Sequence, residues 1–495
     1  MSGDLDLGAL VRSVAELARP GEQIEAYASR SQETDIDVFD GNIESLSVAG
    51  SSGIGIRVIV DHRQGYAWAG SLDADIVADT LAEARDNAQF AEPDDANGLV
   101  DPATATAVTP PVLDLWRDAL ATVGLDAKIE CALDLDARVR AADSRVRGVE
   151  QSSYGDGLVE SALANSLGVA AASRRTVVSA SSVAIAGTTD DSQTGYGFSV
   201  GRSFDDLDLD AVVAMAVERS TRLLGARQIA GRRIPVIFDP MVTASFLGVL
   251  ASAFNAEAML KGRSMFGDRV GDAIAAPTIG ISDDPTDPLV LGATAHDSEG
   301  VSTRPTCLVE RGVLQGFLHN AYTARRSGGR TTGSAVRGGV RTAPGVGARS
   351  LRIDADGVDA AAVLALFPEA LYVQAVHGLH SGTNPISGDF SVGAEGLLVR
   401  AGAYAEPVRE VTIASTVSLP TNASPIPVTV TFRDEMTGFV VGDVTIANGT
   451  AANFAANSDH KTFTFDLTPT ADGTVTVDVA AGVATNNSGK GNLAA

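Results

Sequence analysis

Near Val417 the composition of the chain changes abruptly, and one fold cannot account for both sides of the change. Before it the basic residues are 32 Arg against 2 Lys (Lys128 and Lys261); the 79 residues from Val417 onward hold 1 Arg, 2 Lys and 13 Thr. In that tail, Val428–Phe432, Phe439–Ile446, Thr462–Leu467 and Thr474–Val479 alternate with turn clusters at Asn448-Gly449 and Ala471-Asp472-Gly473, the pattern of a small β-sandwich. The full length of 495 residues, 45% of them hydrophobic, is enough for two or three folded domains.

The part before Val417 predicts an α+β fold. Leu7, Leu10, Val11, Val14 and Leu17 recur at helical spacing and stop at Pro20. Strands are expected at Ile43–Val48, Ile54–Val60 and Gln64–Ala69, then a helix over Asp75–Phe90. A second helix, Asp126–Val146, precedes alternating runs at Ser152–Ser166, Gly168–Ala186 and Gln193–Val200, which read as antiparallel hairpins, and a helix at Leu207–Leu224. A second α/β portion opens with the buried-strand pattern Ile234–Phe238 and an apolar core helix, Met241–Met259. Strands are then expected at Pro288–Leu291, Cys307–Val309, Val313–Leu318, Tyr372–Val376 and Leu397–Val399.

With 37 basic and 62 acidic residues the net charge is −25, which disfavours sequence-independent contact with a phosphate backbone. Two cysteines, Cys131 and Cys307, form no disulfide framework or Cys-x-x-Cys pair, and Cys307, in a strand-like run, is expected to be a buried, inert thiol. No secretory signal pattern opens the chain and no apolar run approaches the roughly 18 residues of a membrane span, so a cytoplasmic protein without membrane contact is expected.

Zinc hydrolysis needs imidazoles or carboxylates converging on one ion. There is no histidine between His62 and His296, so the Met241–Met259 helix offers no imidazole. His377 and His380, near Asp389 and Glu395, form a His-x-x-His that could be half a metal site; three residues of separation on a strand would turn the rings to opposite faces, and the neighbouring glycines suggest a loop with a structural or contact role. No Gly-x-Ser-x-Gly occurs. Thr323–Arg341 carries Arg325, Arg326, Arg330, Arg337 and Arg341 among glycines, a basic patch that either balances charge in solvent or contacts an acidic peptide or partner.

Six strings in order then resemble the TldD/TldE (PmbA) metallopeptidase family over about residues 7–416. They are Gly53–Ile59 with Gln64–Ala67, Ala164–Gly168, Gln193–Gly197, Asp297–Val301, and Gly378–Gly382 through Ser387–Ser391. The resemblance implies an N-terminal α/β domain (1–225) and a strand-rich C-terminal domain (226–416, with the family's end truncated). The segment 417–495 resembles bacterial immunoglobulin-like repeats. It further implies a cytoplasmic heteromeric protease acting on unfolded or leader-type peptides, in which only the TldD branch carries zinc. That branch's His-Glu-x-x-x-His motif falls here on Leu247, Gly248 and Ser252, and the His380–Gly396 segment has no counterpart of its zinc cysteine.

The expectation is therefore a TldE-like, non-catalytic subunit with no cofactor of its own, paired with a zinc-bearing TldD-like partner and an extended peptide. Arg325, Arg326, Arg330, Arg337, Gly378, His380, Ser381 and Gly382 are the candidate substrate or partner contacts. Two alternatives stand beside it: an autonomous metallopeptidase using His377, His380 and Asp389, and a regulatory protein of the gyrase-modulator type, for which nucleic-acid contact is disfavoured by charge.

Overall fold

The computed structural model describes residues 5–102, 108–354, 358–415, 425–432, 434–471, 475–486 and 489–492. The chain divides into two compact units, Met1–Thr416 and Val417–Ala495. The first begins with α1 (Leu7–Ala15), capped by the Asp6 carboxylate, which accepts from the Ala9 N–H at 3.0 Å. Three strands follow, β1 (Glu22–Phe39), β2 (Asn42–Val60) and β3 (Arg63–Ala69), then α2 (Ala74–Phe90), a single turn α3 (Asp118–Ala121) and α4 (Leu125–Ala142). Next come β4 (Val146–Asn165), β5 (Ala170–Gly187), β6 (Ser192–Gly201) and α5 (Leu209–Thr221).

All six strands form one antiparallel sheet in the order β3-β2-β1-β4-β5-β6. Period-two alternation assigns its two faces. Ile24, Ala26 and Ala28 of β1, Ile54, Ile56 and Val58 of β2 and Ala67 of β3 point to one side, where they bury against Leu7, Val11 and Val14 of α1 and Val77, Leu81 and Ala84 of α2. Helices α4 and α5 cover the other end of the sheet through Leu135, Val139, Val212 and Ala216. Helix α2 reaches close contact with the sheet only because residue 65 is glycine: a Cβ there would stand 2.0 Å from the Ala84 carbonyl.

The opposite face carries Glu25, Tyr27, Gly55, Arg57 and Tyr66, and it receives the later part of the unit. Glu25 and Arg57 are direct cross-strand partners. The Arg57 Nη2 donates to Glu25 Oε2 at 2.7 Å and to Glu299 Oε1 at 3.3 Å; Arg337 Nη2 donates to Glu25 Oε1 at 2.5 Å. Glu299 Oε2 accepts from the Ala321 N–H at 2.8 Å. All four side chains are at most 5% exposed. Nearby, the Tyr66 hydroxyl donates to the carbonyls of Val340 (2.7 Å) and Thr342 (3.0 Å), and a Cβ on Gly55 would meet that Val340 oxygen at 2.5 Å.

The later part of the unit comprises β7 (Val236–Phe238), α6 (Pro240–Leu250), a 3-10 turn at Ala251–Phe254, α7 (Ala256–Leu260), β8 (Gly280–Asp283), β9 (Thr306–Glu310), β10 (Val313–Leu314) and α8 (Ala321–Arg326). The pair β11 (Ala335–Val336) and β12 (Gly345–Val346) precedes β13 (Leu351–Asp354), α9 (Ala360–Ala365), β14 (Glu369–His377), the turn α10 (Leu379–Gly382), β15 (Phe390–Arg400) and β16 (Ala403–Ser415). Two sheets result, β10-β9-β8-β13 and β16-β15-β14-β7, the last pair parallel.

Several sequence expectations are corrected here. The Met241–Met259 core helix is broken, because Asn255 accepts from the N–H groups of Glu257 and Ala258 and starts a new helix; of Pro240–Leu250 only Val242 is buried. Pro288–Leu291 is a turn whose Pro288 and Val290 carbonyls accept from Arg202, not from a neighbouring strand. Only Val313–Leu314 of the expected Val313–Leu318 strand pairs. Cys307 is exposed, since alternation along β9 gives the interior to Leu308; burial, Glu310 and Asp354 all push its thiol pKa up.

The second unit pairs Ile426–Thr431 with Thr462–Pro469, and that strand with Gly449–Ala456, all antiparallel. Two-stranded pairs join Met436–Thr437 to Thr485–Asn486 and Val444–Ala447 to Thr476–Val479. Its core gathers Met436, Phe439, Phe463 and Val479, with Phe439 and Phe463 centroids 5.0 Å apart. The expected run Phe439–Ile446 is interrupted by a helical turn at Val441–Asp443, and Asp472, Gly473 and Thr474 lie outside the described residues.

Gly65→Ala is expected to lift α2 from the sheet at a cost of ~1–3 kcal/mol, read as a lower denaturation midpoint of the first unit. Glu299→Ala leaves Arg57 and Arg337 to share the one carboxylate of Glu25 and the Ala321 N–H without its acceptor, and is expected to cost about 3–5 kcal/mol in the same measurement. Burial raises the pKa of Glu25, yet Arg57 and Arg337 outweigh it and hold the carboxyl below its usual range. That stabilisation is present above the ordinary glutamate pKa and is lost as pH falls through the lowered one. A Glu25→Gln chain should therefore be less stable at neutral pH and lose less on acidification, as followed by thermal midpoint from pH 7 to 3.

Candidate functional site

Strand β7 runs parallel to β14, and at its end Asp239 turns the chain into α6. The turn is firmly held. Asp239 Oδ1 accepts from the Met241 N–H at 2.9 Å, Pro240 occupies the first helical turn, and Oδ2 accepts from Arg219 Nη1 at 2.8 Å and from the Tyr372 hydroxyl at 2.6 Å. Burial and the neighbouring Asp239 push the Tyr372 phenol pKa up, so it remains a proton donor to the carboxylate. The Arg222 guanidinium lies over the rings of Tyr372 and Tyr404, 5.5 and 5.7 Å from their centroids.

Beyond this anchor, α6 is apolar but poorly covered. Phe246, packed between Phe238 (5.2 Å) and Phe390 (5.3 Å), lines a groove of about 170 Å³ with Val249, Leu250 and Met265 on one side and Pro385 and Asp389 on the other. Leu247 is half-buried and Gly248 and Ser252 are exposed. A Cβ on Gly248 would meet nothing within 4 Å, and the Ser252 hydroxyl donates to the Val249 carbonyl at 3.0 Å. An aliphatic side chain, a bare backbone and a hydroxyl turned onto its own helix do not fit a zinc ion, which takes imidazole, thiolate or carboxylate.

The loop facing α6 begins where β14 ends. His377 is its last residue, two-thirds exposed, with Nε2 3.3 Å from Glu395 Oε1 on β15. Gly378 adopts φ +74°, a left-handed conformation that starts the single turn carrying His380 and Ser381. Gly382 must be small, because a Cβ would lie 2.1 Å from the Ser391 carbonyl. Ser387 donates to Asp389 Oδ2 at 2.8 Å. Among the described residues no group of three or more His, Cys, Asp or Glu side chains is arranged to hold a metal ion.

The arginines expected as one basic patch are separated. Arg325 donates to the carbonyls of Ala96, Gly98 and Leu99 at 3.0, 2.8 and 2.6 Å, and Arg337 is 2% exposed beside Glu25; both are engaged inside the chain. Arg326 stands 3.8 Å from Asp94, Arg341 lies 4.7 Å over the Trp68 ring, and Arg330 is exposed. Apart from the two-residue strand Ala335–Val336, the segment between Arg326 and Arg341 is irregular, in keeping with the loop expected from its glycines. Sequence reasoning missed the buried Glu25–Arg57–Glu299–Arg337 group. One signal was available: a lone arginine inside the apolar run Ile54–Val60.

Comparison with known proteins fits this geometry. The profile for PmbA/TldA metallopeptidase domain 1 matches residues 24–88, that for the central domain 118–224 and that for the C-terminal domain 231–448; a bacterial Ig-like domain profile matches 406–495, overlapping the last. Metalloprotease PmbA of Escherichia coli O157:H7 is 30% identical over 407 residues, covering 82% of this chain and 87% of that protein. A PmbA homologue of Haemophilus influenzae is 26% identical over 411 residues, covering 83% and 88%. Among solved structures, TldE of Thermococcus kodakarensis superimposes with a TM-score of 0.74 at 22% identity, covering 93% of this chain and 98% of that one. A Thermotoga maritima protein named as a candidate modulator of DNA gyrase gives the same TM-score at 23% identity, covering 96% and 98%. By these matches the chain belongs to the PmbA/TldD metallopeptidase family.

Proposed function

We propose that this chain is the TldE-like, zinc-free subunit of a cytoplasmic TldD/TldE-type peptidase, in which a TldD-like partner carries the zinc and an extended, unfolded or leader-type peptide is the substrate. The observation that carries the reading is the donor set on α6 and its following turn. The resemblance aligns the family's two histidines and glutamate with Leu247, Gly248 and Ser252, and none of these can bind zinc or take a proton from a bound water at neutral pH. His377 with His380 supports an autonomous enzyme less well, because His377 pairs with Glu395 and a left-handed glycine separates the two imidazoles. Among the described residues no helix is long and apolar enough to cross a membrane. Direct DNA contact through the Arg325–Arg341 segment is disfavoured, since Arg325 and Arg337 are engaged internally.

Two features supply contact surface. The groove beside Phe246 offers apolar lining, and Gly378–Ser381 forms its exposed neighbourhood. In β2, residues 42–53 pair with β1 alone, because β3 pairs only from Ile54 onward; Ile43, Leu46 and Val48 on that free edge are 42%, 41% and 52% exposed. An open strand edge offers backbone hydrogen bonds to a peptide or to a partner's strand whatever its sequence.

The purified chain is expected to contain no stoichiometric zinc and to cleave no peptide, while the chain co-purified with a TldD-like subunit contains zinc and cleaves. Metal analysis and peptide digestion with and without the partner test this. One tightly held zinc per isolated chain, with cleavage lost in His377→Ala or His380→Ala, would establish the autonomous enzyme instead. Replacing Ile43, Leu46 and Val48 together by Lys is expected to leave the thermal midpoint within a few degrees and to weaken co-purification with the partner at least tenfold; unchanged recovery removes the edge from the interface.

A further inference from the structure

The sheet face that carries Glu25 also lines a cavity of about 120 Å³. Its walls include Tyr27 from β1, Ser161 from β4, Arg175 from β5 and, from the later part of the unit, His296, Arg337 and Arg349. Register places Tyr27, Ser161 and Arg175 on one face: Tyr27 pairs with Leu163, two residues from Ser161, and Arg175 pairs with Val159, two residues to the other side.

The guanidinium groups here are incompletely used. Arg337 gives its Nη2 to Glu25 and the Ser298 carbonyl, but its buried Nε and Nη1 have no acceptor. Arg349 gives its Nη2 to the Ser298 hydroxyl and the Ala335 carbonyl, at 3.0 and 2.9 Å, and its buried Nε has none. Arg175 has no ion-pair or hydrogen-bond partner among the described residues; burial first, and then the charge of Arg175, lower the Arg349 pKa. Asp297, the carboxylate on this wall, is already occupied: Oδ1 accepts from the N–H groups of Glu299 and Val301 and Oδ2 from that of Ala335. Of the charged residues that line the cavity, Arg175, Arg337 and Arg349 thus face one carboxylate, Asp297, while Glu25 takes only the Nη2 of Arg337 and Asp283 acts on Arg349 from outside the lining.

Unpaired buried guanidinium N–H groups are costly to leave without an acceptor, and planar or tetrahedral oxyanions match their fork geometry. We propose that this cavity binds one small oxyanion group, a carboxylate or a phosphate, with Arg175 and Arg349 as its principal charge partners and the Ser161 hydroxyl and the Tyr27 ring on its walls. The site is remote in sequence from α6 and does not depend on the subunit reading above.

The test is calorimetric titration of the full chain, at constant ionic strength with chloride as the balancing anion. The probes are inorganic phosphate, N-acetyl-dialanine with a free C-terminal carboxylate, and the same peptide as its C-terminal amide. Saturable binding of about one phosphate or one peptide acid per chain is expected, with no binding of the amide. Phosphate alone binding identifies a free-anion site, whereas the acid binding identifies a peptide terminus as the source. Arg175→Gln, which removes no internal contact, should weaken binding at least tenfold while leaving the anion-free thermal midpoint unchanged; Arg349→Gln should do the same to affinity. Absence of saturable binding by both anions, or an affinity unchanged in Arg175→Gln, overturns the proposal and leaves the cavity to solvent.

Discussion

Within the first unit, the later part of the chain is fixed on the first sheet by charges taken out of water. Arg57 sits in the middle of an apolar strand, opposite Glu25, and neither could remain there alone. Isolated, each would pay a desolvation penalty far beyond what one ion pair returns. The third and fourth members, Glu299 and Arg337, come from residues more than two hundred positions later, so the group is complete only when the later part of the unit is docked. A buried network of this kind adds little net stability compared with an apolar equivalent, but it makes partial docking expensive. It therefore fixes where the loop at Asp297–Val301 and the glycine-arginine segment lie on the sheet.

This arrangement also explains which parts of the fold could be read in advance. Helices with a clean apolar stripe, such as α1 and α2, are found at their expected positions because one face alone is buried. Strand β1 went unread: it is covered on both faces in part, with the polar Glu25 buried on one and Thr34 beside Ile24 and Ile36 on the other, and polar residues at inward positions break the alternation that reveals a strand. The split expected within β2 fails for a related reason. The small, polar stretch Ala49–Ser52 between the two expected strands is exposed on both faces and reads as a break, although its backbone continues the ladder to β1 without interruption. Long-range partners, the turn at Pro288 and the cap at Asn255 belong to the same class, since each depends on a residue that local sequence does not name.

At the candidate site, sequence and structure meet on chemistry more than on shape. The resemblance pointed to Leu247, Gly248 and Ser252, of which Leu247 is half-buried and Gly248 and Ser252 are exposed. What the sequence withheld is how firmly that helix is held. Asp239, Arg219 and Tyr372 come from three separate elements, and together they fix the first turn of α6 in the same way whether or not an ion is bound further along. The support of this helix thus rests on side chains outside the apolar face that it presents to the groove.

The bare margin of β2 has a bearing on how such a chain is made. A ribbon with unsatisfied amides and aliphatic side chains joins any other extended segment it meets, including the same ribbon on a sister molecule. If production of this polypeptide outruns that of whatever normally lies against the ribbon, the surplus is prone to stick to itself. On the subunit reading proposed above, balanced synthesis of the two components matters as much for keeping the protein in solution as for activity.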